Sequence, residues 1–144
     1  MKRRPVKLKR VYERPSAADG MRVLVDRLWP RGLSKHDVSA DLWLRDAAPS
    51  SGLRVWYGHD PRRWRRFSRK YRAELARQPE VLELLDDLRR RAPVTLIYGA
   101  RDEAHNNAIV LREMLEEHAR PRPSRKASRP DAGTPKRPAS SNVT

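Results

Sequence analysis

The chain has 144 residues, with 33 Lys and Arg against 18 Asp and Glu, a formal net charge of +15 and no cysteine. That length suits one domain with a modest core, and the missing thiols exclude disulfides and cysteine-based zinc sites. The charge favours nucleic acid or another polyanion through summed potential, although an arginine-rich and alanine-rich composition also fits a GC-rich coding bias.

In chain order, "MKRRPVKLKR" is charged and no signal-like apolar run follows it. No segment reaches the length of a membrane span, so the expected location is cytoplasmic, with no membrane partner. Residues 6–12 alternate imperfectly, with Val6, Leu8 and Val11 apolar, as a half-exposed strand does. "RPSAADG" is a turn, and residues 22–27 form a second strand whose apolar centre suits a sheet covered on both faces. Pro30 and Gly32 end it. Ser34 with Asp37 three residues on marks the start of a short helix, and "ADLWL" is a brief third strand.

Helices follow "APSSG". Trp64, Phe67, Tyr71 and Leu75 recur at three- and four-residue spacing, which puts them on one face with arginines around the rest. Pro79 opens another helix, with Val81, Leu84, Leu85 and Leu88 as its apolar stripe. "PVTLIYGA" is a compact β-branched run bounded by Pro93 and Gly99, and it predicts a buried strand. Asp102 is placed to cap the last helix, whose Ala108, Leu111 and Leu115 face inward. Residues 120–144 hold seven Lys or Arg, one acid, five Pro and four Ser. Such a composition cannot offset its ordering entropy and predicts a disordered basic tail, charge +6, which leaves +9 on residues 1–119. A helical excursion between apolar strands implies parallel pairing. The predicted fold class is therefore α/β, a small single domain over residues 1–119 with a mostly parallel sheet flanked by helices.

In such sheets ligands bind beyond the carboxyl ends of the strands. "VLVDRLWPRG" and "YGARDEAHNN" both have that layout, and if their strands are neighbours the polar sets meet in one crevice. Arg27, Arg31 and Arg101 would hold an anion, Trp29 would form a wall, and Asn106 would contact the ligand. Asp26, His59 and His105 are the candidate catalytic groups, as bases or proton carriers. Each has a plainer alternative. Asp26 and Arg27 can pair as a structural network, Trp29 can pack a loop onto the core, and His105 and Asn106 can be helix-end hydrogen bonders. In "WYGHDP", Gly58 can end one helix and Asp60 cap the next.

His36, His59, His105 and His118 show no metal-ligand spacing. Phosphate loops, G-x-G-x-x-G and G-x-S-x-G turns are absent, which leaves any cofactor open. The arginine-rich helix at 61–77 keeps its aromatics on the core stripe, so it reads as packed with a solvated basic face. Two functions stand side by side: a small enzyme or sensor for an anionic, nucleotide-like ligand, and a nucleic-acid-associated protein using its basic surface and tail.

The segments "VDRLWPRG", "GHDP" and "DEAHNNA", within a match running from about residue 6 to 118, closely resemble the YeaO-like branch of the bacterial family called domain of unknown function 488. The resemblance implies a compact α/β cytoplasmic protein. It also implies that Asp26, Arg27, Trp29, Pro30, Arg31, Gly32, His59, Asp60, Asp102, His105 and Asn106 are signature positions. Other branches carry a Cys-His-Arg motif after the late strand. This chain reads His105-Asn106-Asn107 there, so thiol chemistry does not transfer.

Overall fold

The computed structural model describes residues 4–119. The basic tail expected from residue 120 onward lies outside the described residues. Four strands, β1 (Val6–Arg10), β2 (Met21–Leu24), β3 (Leu42–Trp43) and β4 (Val94–Tyr98), form one sheet in the order β1-β4-β2-β3. Every pairing is parallel. β4 is central because Val94, Thr95, Leu96, Ile97 and Tyr98 are all buried, whereas β1, with its lysines, takes an edge.

Alternation along the strands sorts the core into two layers. Val23 and Val25 of the second strand segment, with Val94, Leu96 and Tyr98, face a thick layer of four helices. These are α2 (Ser51–Tyr57), α3 (Trp64–Ala76), α4 (Pro79–Arg91) and α5 (Asn107–Ala119). Leu24 and Ile97 face the other side, where Val38 of α1 (Lys35–Val38), Trp29 and Trp43 close a smaller cluster. No helix is long and apolar enough to cross a membrane among the described residues.

The local signals mostly act where they were read. Ser34 and Asp37 form a reciprocal capping box on α1. Phe67, Tyr71 and Leu75 are buried along α3, with Trp64 half-buried. The stripe on α4 differs by one position: Leu82 is buried and Leu84 is 40% exposed. Val81, Leu82 and Leu85 converge on the core, because α3 and α5 meet that helix on a face rotated from the 81-84-88 line. The start of α5 also differs. Asp102 caps a turn through Ala104 and His105, and the helix begins five residues later with Asn106 as its cap, accepting from the Ile109 N–H at 3.1 Å.

Candidate functional site

Parallel strands present their carboxyl ends on one side, and the loops leaving these four enclose a cleft of about 250 Å³. The segments after β2 and β4 meet there because those strands are hydrogen-bonded neighbours. At the base, the Gly99 N–H donates to Asp26 Oδ2 at 2.8 Å. A Cβ on residue 99 would lie 3.1 Å from that oxygen, so glycine permits the close approach. Burial pushes the Asp26 carboxyl above its ordinary range. The hydrogen bonds from Gly99 and Asn107 and the nearby His59 ring oppose that shift without cancelling it. The Asn107 amide also donates to the Val25 carbonyl at 2.9 Å, which fixes the start of α5 against the end of β2.

Asp26 and Arg27 do not pair with each other. Arg27 Nε donates to the Pro49 carbonyl at 3.1 Å, and Nη2 to that of Ala48 at 3.5 Å. The guanidinium therefore anchors the segment after β3 as it lines the cleft. The buried Arg–Asp network considered for this position exists at the opposite end of the sheet. There Asp19 accepts from Arg22 and Lys9, while Arg22 also donates to the Val38 and Ser39 carbonyls. A second buried pair, Asp86 with Arg89, fastens α4 to the Leu115 carbonyl of α5.

Trp29 donates through Nε1 to the Leu33 carbonyl at 2.7 Å and meets Trp43 edge-on, with ring centres 5.2 Å apart. It packs its loop onto the smaller core cluster and also forms part of the cleft wall. Arg31 and Arg54 line the cleft with exposed side chains at its mouth. Arg101 is exposed and outside the lining.

Gly58 ends α2 in the left-handed conformation, and His59 follows with φ 56°, also left-handed. This double turn holds the His59 ring 6.2 Å from that of Tyr57 beside the cleft. A non-glycine residue there stores of order 1–3 kcal/mol of strain. Asp60 caps the turn at Pro61–Arg63 and pairs with Arg62. His105 is oriented by Asp102, whose Oδ2 lies 2.9 Å from Nδ1, and by an edge-on contact with Trp64. Backbone hydrogen bonds from Ala104 and His105, with the His105 ring itself, hold Asp102 below the usual carboxylate range. The Asn106 side chain is 2% exposed and donates to the Asp102 carbonyl while capping α5. Its amide is occupied by the fold.

The structure thus brings Asp26, Arg27, Trp29, Arg31, His59, His105 and Asn106 around one cleft and leaves Arg101 apart. Sequence reasoning did not single out Arg54 and Tyr57, which occupy the same face of α2 three residues apart. The signal was the short apolar spacing of "LRVWY", too brief to assign a face. Asn107 was seen beside Asn106, but only the register of α5 shows which of the two reaches Asp26. Among the described residues no three His, Asp or Glu side chains gather as metal ligands.

Comparison with known proteins gives one consistent family. The model described as the inactive DUF488-N3 subclade matches residues 5–132. The uncharacterized protein YeaO of Escherichia coli is 38% identical over 110 residues, covering 76% of this chain and 96% of YeaO. The uncharacterized proteins Rv3073c of Mycobacterium tuberculosis and Mb3100c of Mycobacterium bovis are each 42% identical over 110 residues, covering 76% of this chain and 92% of theirs. No solved structure gives a significant match.

Proposed function

The chain belongs to the DUF488 family, and from that premise we propose that its cleft binds a small anionic, nucleotide-like molecule for recognition rather than turnover. One observation carries the reading. Three arginines, Arg27, Arg31 and Arg54, line a cleft whose single carboxylate, Asp26, is already engaged by Gly99 and Asn107. Arg27 is anchored to the Pro49 and Ala48 carbonyls, whereas Arg31 and Arg54 are exposed and leave their guanidinium forks for a phosphate or carboxylate. Deeper in, Tyr57, Phe67 and Trp29 offer apolar walls for a flat ring. Asp26 accepts hydrogen bonds at the base and suits a ring edge that carries N–H donors.

The reading of recognition without turnover is supported by what some of these side chains already do. The chain has no thiol, and the tyrosine hydroxyls at the cleft donate to backbone carbonyls, Tyr57 to His105 and Tyr12 to Arg31. The description of the matching subclade as inactive agrees with that reading. His59 and His105, with Asp26, would then set charge and hydrogen bonding for the ligand rather than drive a reaction.

The test is a panel of nucleoside monophosphates, free nucleosides and sugar phosphates, screened by thermal shift and followed by calorimetry. A nucleoside phosphate is expected to bind, with affinity falling about tenfold or more in Arg31→Ala and in Arg54→Ala, as loss of a charge-assisted hydrogen bond implies. Both arginines are exposed, so their removal leaves the fold intact. Ligands that bind equally well to both variants would refute the assignment.

A further inference from the structure

The basic face of α3 gains from its neighbour something its own sequence lacks. Trp64, Phe67 and Tyr71 all lie along the packed side of α3, so the charged side alone has no ring on which a base could stack. The fold brings Trp56 across from α2. Its half-buried ring lies with the Arg63 guanidinium 5.2 Å and the Lys70 ammonium 5.6 Å from its centre. Beside it Val55 is 69% exposed. A shallow groove of about 400 Å³, whose lining includes Ser50, Trp56, Lys70, Glu74 and Arg77, runs from this ring along the helix.

Of the cations beside Trp56, Arg63 lies 3.9 Å from Asp60, and Lys70 forms no ion pair among the described residues. Arg65, Arg66 and Arg69 are exposed and form no ion pair among the described residues. Glu74, the one acid of α3, gives both carboxylate oxygens to Ser50. Other cations are paired: Arg72, on the flank of α3 that meets α5, with Glu113 and Glu117, Arg91 with Asp87, and Arg22 and Arg89 with buried aspartates.

We propose that this surface between α2 and α3 docks single-stranded nucleic acid. Trp56 stacks on one base, while Lys70, Arg66 and Arg69 take flanking phosphates. A ring in a shallow groove can stack only on a base that is already unstacked, which selects single strands over duplex. The helix itself lies packed on the core and does not project as a groove-reading element would. This surface is separate from the cleft and stands whether or not the cleft binds a nucleotide.

Anisotropy of a labelled short oligothymidylate, titrated with the full chain across salt concentrations, tests it. Trp56→Ala should weaken binding about five- to a hundredfold, as loss of one base–aromatic stack does, and Trp56→Phe should restore most of it. Arg66→Glu with Arg69→Glu should lower affinity and reduce the salt slope by roughly 0.7 for each phosphate no longer neutralised. The idea is overturned if the Trp56 and Arg66/Arg69 variants bind like the wild type, since binding then belongs to charge elsewhere on the chain. It is equally overturned if a duplex competes as well as the single strand, or if the oligonucleotide does not bind.

Discussion

Asp26 and Asp19 are two half-hidden or hidden carboxyls with opposite electrostatic fates. At Asp26 burial wins, so the folded carboxyl titrates above its unfolded counterpart. Such a group contributes stability below the unfolded value and loses it as pH rises through the folded one. Asp26→Asn keeps an acceptor for the Gly99 N–H and removes the buried charge. It should therefore be more stable than the wild type at neutral pH, with the gain vanishing under acid, in urea denaturation followed across pH. A variant less stable at neutral pH would contradict this account. At Asp19 burial also raises the carboxyl, but hydrogen bonds from Lys9, Ser16 and Arg22 together outweigh it and lower the net value. Its contribution is present above the ordinary carboxylate range and disappears as pH falls through the depressed value. Asp19→Asn leaves Arg22 buried without its counter-charge, and about 3–5 kcal/mol of stability should be lost at neutral pH. That the Arg–Asp network sits at Asp19 and not at Asp26 was illegible in the sequence. Both pairings are close along the chain, and only the pleat decides which aspartate faces an arginine.

Elements were the most legible scale, because periodicity and caps are local. The central strand, the α3 stripe and the α1 capping box all follow from residues within a few positions of one another. The errors came where a competing local bond or a distant neighbour intervened. Asp102 has the chemistry of a helix cap, yet the turn it forms with Ala104 and His105 uses that chemistry before the helix begins. Asn106→Ala should accordingly cost about 1–2 kcal/mol through the cap of α5, measurable in chemical denaturation, whereas an exposed replacement such as Glu103→Ala should be near neutral. The connection into β2 is similarly exacting about one residue. Gly20 has φ 66° and ψ −134°, and a Cβ there would lie 2.3 Å from the Pro93 carbonyl oxygen. Gly20→Ala should lose at least about 2 kcal/mol, since the backbone must shift where it enters the sheet.

At the scale of the whole molecule, the sequence pointed to a parallel sheet but not to its order. The apolar run at 94–98 implied a covered strand, and its place between β1 and β2 is what puts Gly99 against Asp26. The candidate site was therefore legible as two strand-end motifs. Its third side was not, because Arg54, Tyr57 and the Pro49 segment arrive through helix packing across the sheet, which no short-range pattern encodes. The positive charge of residues 1–119 likewise resolves only in three dimensions: part of it lines the cleft, part locks the fold in buried pairs, and part lies unpaired along α3.

The most direct test of the central claim is an amide NMR titration of the full chain with the nucleoside phosphate that scores best in the thermal-shift panel. Binding in the cleft predicts saturable shifts at the Gly99 N–H, the Trp29 indole and the Asn107 side-chain amide, all of which disappear in the Arg31→Ala, Arg54→Ala double variant. Shifts confined to the α3 surface, or cleft signals that stay unmoved while the ligand binds, would contradict it.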